Sequence, residues 1–197
     1  MEVFMKIAPK MFTTANFDLS ETVAAPARKK DGKGQARHLG EEELVTFFNH
    51  LPDKKWQCVF AIAYFTGSRI SEVLSLDVSA IQCDRVVITV LKARKPMTRE
   101  IAIQPQLQTF LDTYDAPESG YLFPAYQNSQ RKTHVSRQAA HKVLKEVIDA
   151  APELDGISTH SFRRSFATNL QKAGKSAAEI SRFLGHKSTT MTARYIG

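Results

Sequence analysis

The sequence has few cysteines and no long apolar run, and each shortage excludes a class of protein. Its only cysteines are Cys58 and Cys83, and neither has a Cys or His at metal-ligand spacing, so no disulfide framework or zinc site is indicated. Nowhere do about 18 apolar residues follow one another, which predicts that no segment spans a membrane. Residues 1–20 carry scattered charges and no apolar core, unlike a secretory signal, and we therefore expect a cytoplasmic protein.

Two motifs of cofactor-dependent enzymes are also missing. The sequence contains no Gly-x-x-x-x-Gly-Lys-Ser/Thr phosphate loop and no obvious carboxylate cluster for a divalent cation, so we expect no cofactor. What the chain does have is an excess of positive charge, with 27 Lys and Arg against 20 Asp and Glu and a formal net charge of +7. This balance favours a polyanionic partner, of which nucleic acid is the first candidate.

Residues 1–38 differ from the rest of the chain and are predicted to form a partly disordered basic arm or linker. They contain a basic run in which only Asp31 is acidic, and its cations are Arg28, Lys29, Lys30, Lys33 and Arg37. Two interpretations of this run stay open, a solvated tail and a set of non-specific contacts with phosphates. Residues 39–197 are long enough to bury a core and are predicted to form one domain.

Helical patterns dominate that domain. The first helix is predicted from apolar residues that share i, i+3, i+4, i+7 spacing: Leu44, Phe47, Phe48 and Leu51. A second apolar segment, Trp56–Phe65, ends at Gly67, and a third helix begins directly afterwards. Arg69 therefore lies at a junction between two helices.

A hairpin interrupts the helices. Arg85–Leu91 and Arg99–Ile103 are rich in β-branched residues and predict two strands, with the basic segment Lys92–Thr98 between them. Further helices are predicted after Pro105, after Ser136, from His160 to Leu170, after the capping box of Ser176 with Glu179, and around Tyr195. The predicted fold class is mainly α with a small antiparallel β-hairpin.

Several side chains of this sequence suit phosphate chemistry. Breaking a phosphodiester without metal needs a side-chain nucleophile, cations on the non-bridging oxygens and an acid for the departing 5′ oxygen. His160 and Arg163 lie three apart at a helix start, so both can reach one spot where free backbone N–H groups also favour an anion. Arg69 and Arg163 offer planar guanidinium groups that can bind two oxygens of one phosphate. Each signal is weak alone.

The ordered set of motifs is more specific than any of its members. Thr66-Gly-Ser-Arg-Ile-Ser-Glu-Val-Leu-Ser-Leu-Asp77 is followed by Lys92, by His160-Ser-Phe-Arg163, by Leu184-Gly-His186 and by Arg194-Tyr195. Together they resemble the catalytic domain of the tyrosine recombinase (phage integrase) family, over roughly residues 38–196. The resemblance implies a tyrosine recombinase catalytic-domain fold and a site-specific recombinase that cleaves and rejoins DNA without metal or ATP.

The resemblance also implies a role for each matching side chain. Tyr195 would attack the scissile phosphate, forming a 3′-phosphotyrosyl link and releasing a 5′ hydroxyl, while Arg69 and Arg163 would stabilise the transition state. His160 would hydrogen-bond the phosphate and assist removal of the Tyr195 proton. His186 would hydrogen-bond a phosphate oxygen, although its position also fits a donor that caps a helix C-terminus.

Lys92 begins the basic segment of the hairpin and resembles the family's general acid for the leaving 5′ oxygen. Arg94 and Lys95 stay open as alternatives, because sequence does not determine the register of a short hairpin. Glu72 matches the acidic position after the first arginine, where a supporting hydrogen bond is expected. Further contacts with DNA are expected from four basic residues: Arg94, Lys95, Arg137 and Lys187.

The expected partner is double-stranded DNA, with a homotetramer on DNA and a monomer in free solution. Longer family members carry an N-terminal helical domain that clamps DNA, whereas about 38 residues precede the matching segment here. The sequence fits a part of a longer chain as well as a minimal member.

Two alternatives stay open: a DNA-binding regulator of the same fold that does not cleave, and a type IB topoisomerase with the same phosphate chemistry. The complete motif set disfavours the first, and the Leu-Gly-His motif and small size disfavour the second.

Overall fold

The computed structural model describes residues 36–91, 97–127, 130–186 and 190–192. Over these residues the chain forms seven α-helices: α1 Glu41–Asn49, α2 Lys54–Thr66, α3 Ile70–Leu74, α4 Pro105–Thr113, α5 Arg137–Ala150, α6 Thr159–Lys172 and α7 Ala177–Leu184. It also forms four strands: β1 Arg85–Thr89, β2 Thr98–Ala102, β3 Pro124–Gln127 and β4 Gln130–His134. Residues 190–192 make one further helical turn. Within this described part, no helix combines the length and apolar character needed to cross a membrane.

The ends of the helices follow from short-range hydrogen bonds. The Asp53 side chain caps α2 by accepting a backbone N–H one turn on, at 2.8 Å, and Gly67 ends the same helix with a φ of 62°. Ser176 and Glu179 form the predicted capping box before α7, and Gly185 follows its last residue, also with a φ of 62°. Such caps pair backbone groups that a helix end leaves without partners. The predicted helix ends at Gly67 and Gly185 and the predicted start at Ser176 are confirmed.

The first hairpin pairs β1 with β2 in antiparallel register. Val86 lies opposite Ile101, and Ile88 lies opposite Arg99. These four side chains are buried, whereas their neighbours along each strand are exposed or half-buried. This alternation is the period of two that a half-buried strand produces, and the hairpin is the one that the sequence predicts.

A second hairpin, formed by β3 and β4, is absent from the sequence-based prediction. The two strands make a sheet of their own, separate from the first. Gln130–His134 contains no aliphatic residue, so the apolar alternation that marks a strand cannot appear there. Strand formation at such a segment depends on the chain it pairs with. The fold class, mainly α with small antiparallel sheets, is confirmed.

The centre of the fold is α2, which is apolar on every side and buried from Trp56 to Thr66. Phe47 of α1, Phe60 of α2 and Phe162 of α6 pack with ring centroids 4.9 to 5.0 Å apart. Burial of one phenylalanine side chain stabilises a fold by about 1.5–3 kcal/mol. The three rings therefore hold α6 against α2 and bring the first turns of α6 to the end of α2.

The last residues of the predicted arm are anchored to the helical domain. Arg37 forms an ion pair with Glu43 and donates to the carbonyl oxygens of Glu153 at 2.9 Å and Asp155 at 3.0 Å. The Arg37 side chain is 11% exposed and bonds to the domain through these three partners, and its contact with phosphate stays a prediction. The other cations of that run lie outside the described residues: Arg28, Lys29, Lys30 and Lys33.

Candidate active site

Arg69 lies in the tight turn between α2 and α3. Gly67 supplies the left-handed residue of this turn, and a Cβ there would collide with the ring of Phe166 and lie 3.0 Å from a methyl group of Leu184. Glycine therefore permits α6 and α7 to approach the turn closely. Arg69 is the N-cap residue of α3, and its side chain is 15% exposed.

Glu72 lies in the first turn of α3, and its carboxylate is fully enclosed. Oε1 accepts a hydrogen bond from Arg69 Nη1 at 2.9 Å, and Oε2 accepts one from the Arg69 backbone N–H at 2.9 Å. A buried carboxylate requires such partners because removing it from water is costly. These bonds fix the direction of the Arg69 guanidinium, and the part that Glu72 plays in catalysis stays a prediction.

Arg163 is a fully buried residue, with 0% exposure. Its Nη1 donates to the carbonyl oxygen of Gly67 at 2.6 Å, and its Nη2 donates to that of Leu184 at 2.6 Å. One guanidinium thus joins the turn before α3 to the end of α7. Both oxygens carry only partial charges, so neither of these bonds neutralises the cation.

His186 directly follows the glycine that ends α7. Its backbone N–H donates to the carbonyl oxygen of Ser181 at 2.9 Å and so caps this part of the helix end. The imidazole Nδ1 lies 2.8 Å from Thr192 Oγ1, in the helical turn formed by residues 190–192. The imidazole thus contacts Thr192, and both its bond to a phosphate and its part as a cap of the helix C-terminus stay predictions.

The pKa of His186 reflects its burial and the cations around it. Burial lowers the pKa of His186 to about 4, with further lowering by the positive charges of Arg163, Arg69 and Arg99. The imidazole is consequently neutral at pH 7. Three arginines from three separate segments of the chain thus act on one half-buried histidine.

Arg99 of β2 is absent from the site residues that the sequence predicts. Its side chain is 5% exposed, and its Nη2 lies 2.9 Å from Ser68 Oγ and 3.5 Å from the Glu72 carboxylate. Burial lowers the pKa of Arg99 to about 10, against the opposite effect of Glu72, so the guanidinium stays charged at neutral pH. One feature of the sequence could have identified it. Arg99 is two residues before Ile101 in an alternating strand, so its positively charged side chain lies on the same buried face as Ile101.

The other predicted site residues fall into two groups. His160 is exposed at the start of α6, unlike buried Arg163 one turn later, and Arg137 is exposed at the first position of α5. The residues that lie outside the described part of the chain are Lys92, Arg94, Lys95, Lys187 and Tyr195. Hydrogen bonds and charges connect the site through five described residues: Arg69, Glu72, Arg163, His186 and Arg99.

This set of side chains, which we call the arginine cluster, carries a surplus of positive charge. Among the described residues, Arg69, Arg99 and Arg163 supply three guanidinium groups, and the Glu72 carboxylate pairs with two of them. An anion with several oxygens, such as a phosphate, suits this surplus because charge-assisted hydrogen bonds to guanidinium are strong and can be bidentate. Neutral His186 can add one hydrogen bond beside them.

Comparison with solved structures defines the class of the fold. The chain superposes on the XerH site-specific recombinase, in a pre-cleavage complex with its difH substrate, with a TM-score of 0.62. The match has 20% sequence identity and covers 83% of this chain and 51% of that one. The fold is therefore one that a site-specific recombinase uses.

Sequence comparison then defines the family. Residues 37–197 match the phage integrase family, and the chain belongs to it. The probable integrase/recombinase YoeC of Bacillus subtilis (strain 168) is 32% identical over 148 residues, which cover 74% of this chain and 78% of YoeC. Tyrosine recombinase XerD of Mycobacterium leprae (strain TN) is 32% identical over 149 residues, which cover 71% of this chain and 46% of XerD. The chain thus spans about half the length of XerD and of XerH.

Proposed function

We propose that this protein is a site-specific DNA recombinase of the tyrosine type, which cleaves and rejoins DNA through a 3′-phosphotyrosyl intermediate. The arginine cluster carries the proposal, because it joins Arg69 held by Glu72, Arg163 held by two carbonyl oxygens, and neutral His186. Such a surplus of oriented cations suits one phosphate. Membership of the phage integrase family supports the same conclusion.

In the proposed reaction a DNA phosphate occupies the arginine cluster. Arg69 and Arg163 bind its non-bridging oxygens and stabilise the negative charge that develops in the transition state. Loss of one such donor typically lowers the rate by about 100- to 1,000-fold. Because Glu72 and backbone oxygens already hold the two guanidinium groups, little reorganisation is required when the phosphate binds. His186 contributes one further hydrogen bond.

The covalent step exchanges one phosphate ester for another. The Tyr195 oxygen forms a bond to phosphorus while the bond from phosphorus to the 5′ oxygen breaks. His160 assists removal of the phenol proton, and Lys92 supplies a proton to the departing oxygen. Attack by the 5′ hydroxyl of a second strand then displaces Tyr195, so the ester is conserved and no ATP is consumed. Tyr195 and Lys92 lie outside the described residues, and their roles rest on the resemblance.

The proposed substrate is double-stranded DNA in the cytoplasm, at the nucleoid. Support comes from the net charge of +7 and from XerH, which shares the fold and was solved with DNA. Further proposed contacts with backbone phosphate are Arg137, which is exposed at the start of α5, and Arg94, Lys95 and Lys187. Exchange between two duplexes would use four protomers, with a monomer in free solution.

A substrate that traps the covalent intermediate tests this function. A nick beside the cleavage position lets the short 5′-hydroxyl fragment diffuse away, so each cleavage leaves protein attached to DNA. With DNA fragments from the neighbourhood of its gene, the wild type should form adducts that survive denaturation. Tyr195→Phe should bind the same DNA and form none. Tyr121→Phe is the matched control, because Tyr121 packs on His134 outside the arginine cluster, and it should react as the wild type does.

Each other outcome has a distinct meaning. An adduct with Tyr195→Phe would show that the nucleophile is another residue. Tight DNA binding without a wild-type adduct would favour a DNA-binding regulator of this fold. Adducts that lead to relaxation of supercoils, without exchange between duplexes, would favour a type IB topoisomerase.

A further inference from the structure

Arg99 occupies a position in β2 where an apolar side chain is expected. Its side chain lies on the buried face that Ile88 and Ile101 share, opposite Ile88 in the register. Enclosing a cation is costly unless the cation is paired and hydrogen-bonded. The partners of Arg99 therefore show what stabilises it in this place.

The terminal nitrogens of Arg99 contact three residues, from two segments that build the arginine cluster. Nη2 donates to Ser68 Oγ at 2.9 Å, in the turn directly before Arg69. Nη1 donates to the carbonyl oxygen of Phe183 near the end of α7, and lies 3.5 Å from the carbonyl oxygen of Thr66 at the end of α2. These partners are 31 to 84 residues away along the chain, so one side chain joins distant segments.

Arg99 also shares the Glu72 carboxylate with Arg69. Arg99 Nη2 lies 3.5 Å from Oε2, while both carboxylate oxygens accept hydrogen bonds from Arg69. Two guanidinium groups thus share one carboxylate, so Arg69, Arg99 and Glu72 together carry a net positive charge. Without Arg99, Glu72 would neutralise Arg69 more completely and reduce its attraction for a phosphate.

The turn that carries His186 packs directly on the Arg99 side chain. A Cβ at Gly185 would lie 2.9 Å from Arg99 Cδ and 3.3 Å from Arg99 Nε. The missing side chain lets the turn lie against the stem of the arginine, and Phe183 two residues earlier accepts from its guanidinium. Arg99 therefore restricts where His186 can lie.

We propose that Arg99 is a positioning residue of this site. Through Ser68 and Glu72 it fixes the direction of Arg69, and through the end of α7 it fixes His186. The inference rests on the proposed recombinase function, because it assigns Arg99 a part in arranging the groups that bind phosphate. Arg99 acts through its neighbours, so its loss lowers the rate of the chemical step more than the affinity for DNA.

Single-turnover cleavage of the nicked substrate at saturating DNA tests this role. Arg99→Lys keeps the charge but replaces two terminal nitrogens by a single one, which loses the forked geometry that reaches both Ser68 and Phe183. Ser68→Ala removes one acceptor of Arg99 with a small change in volume and keeps the test valid if Arg99→Lys does not fold. The rate constant of adduct formation should fall by about 10- to 100-fold for Arg99→Lys, and by less for Ser68→Ala. The dissociation constant for DNA should change by less than about 3-fold.

Arg85→Lys is the matched control within the same hairpin. The Arg85 side chain is 42% exposed and pairs with Asp84 and Glu100 at the surface, so its replacement should leave the rate constant unchanged. A purely structural role of Arg99 would lower the fraction of protein that reacts but not the rate constant. A wild-type rate constant in both Arg99→Lys and Ser68→Ala would therefore overturn the inference.

A double-mutant cycle with Glu72→Gln tests the route through the carboxylate. If Arg99 acts through Glu72, Arg99→Lys should lower the rate constant less in the Glu72→Gln protein than in the wild type, because the effects of substitutions at coupled residues are not additive. Equal reductions in both backgrounds would overturn that route. A wild type without any adduct would instead overturn the proposed function, and the inference with it, so the two failures are distinguishable.

Discussion

Among single residues, His186 shows how the environment sets a charge. Burial, followed by the charges of Arg163, Arg69 and Arg99, lowers its pKa from 6.5 to about 4. In the unfolded chain the same imidazole takes up a proton near its ordinary pKa of about 6.5. Between those two values the unfolded state binds more protons than the folded state. The resulting stability is present above about pH 6.5 and is lost as the pH falls toward 4.

We therefore expect the wild type to lose free energy of unfolding between about pH 7 and pH 4.5, and His186→Gln to lose less of it. Urea unfolding at several pH values measures both. Burial also lowers the pKa of His38, but that residue is present in both proteins, so its contribution cancels in the comparison. The same pH dependence in both proteins would contradict the surroundings described for His186.

At the scale of one element, the end of α7 depends on a residue without a side chain. Gly185 has a φ of 62°, and a Cβ there would lie 2.9 Å from Arg99 Cδ. Gly174, just beyond α6, has a φ of 79°, but a Cβ there would meet nothing within 4 Å. The two positions share a left-handed backbone and differ in packing, which makes them a matched pair.

Gly174→Ala should lower the free energy of unfolding by about 1–2 kcal/mol, because only the left-handed conformation opposes it. Gly185→Ala should lower it further, because the new methyl group must also displace Arg99. It should slow adduct formation too, whereas Gly174→Ala should not. Chemical denaturation and single-turnover cleavage measure these effects. Equal losses for the two variants would show that α7 can move away from Arg99 at no cost.

The elements also differ in how far local sequence determines them. Asp53 and the Ser176–Glu179 pair cap their helices through bonds to residues three positions away, and such signals are visible in any short stretch of chain. The hairpin of β3 and β4 has no comparable signal, because Gln130–His134 is polar throughout. Its strands form by pairing with each other, which a pattern of single residues does not record.

For the molecule as a whole, the net charge of +7 predicts DNA binding that depends strongly on salt. Each duplex phosphate that a cation neutralises adds about −0.9 to the slope of log affinity against log salt concentration. The dissociation constant, measured by fluorescence anisotropy at several KCl concentrations, should rise steeply. The Tyr195→Phe protein should show the same slope, since the substitution removes no positive charge. A flat response would count against duplex DNA as the substrate.

The sequence by itself determined the helical class, the first hairpin and the order of motifs that resemble the phage integrase family. Each of these depends on residues close together in the chain or on their order. Only the tertiary structure decided that Arg37 is anchored to the domain and that Arg99 shares the Glu72 carboxylate with Arg69. The physical reason is that a buried guanidinium is stable only where several partners meet. The partners of Arg99 include carbonyl oxygens at the ends of α2 and α7, which only the packing of the helices brings together.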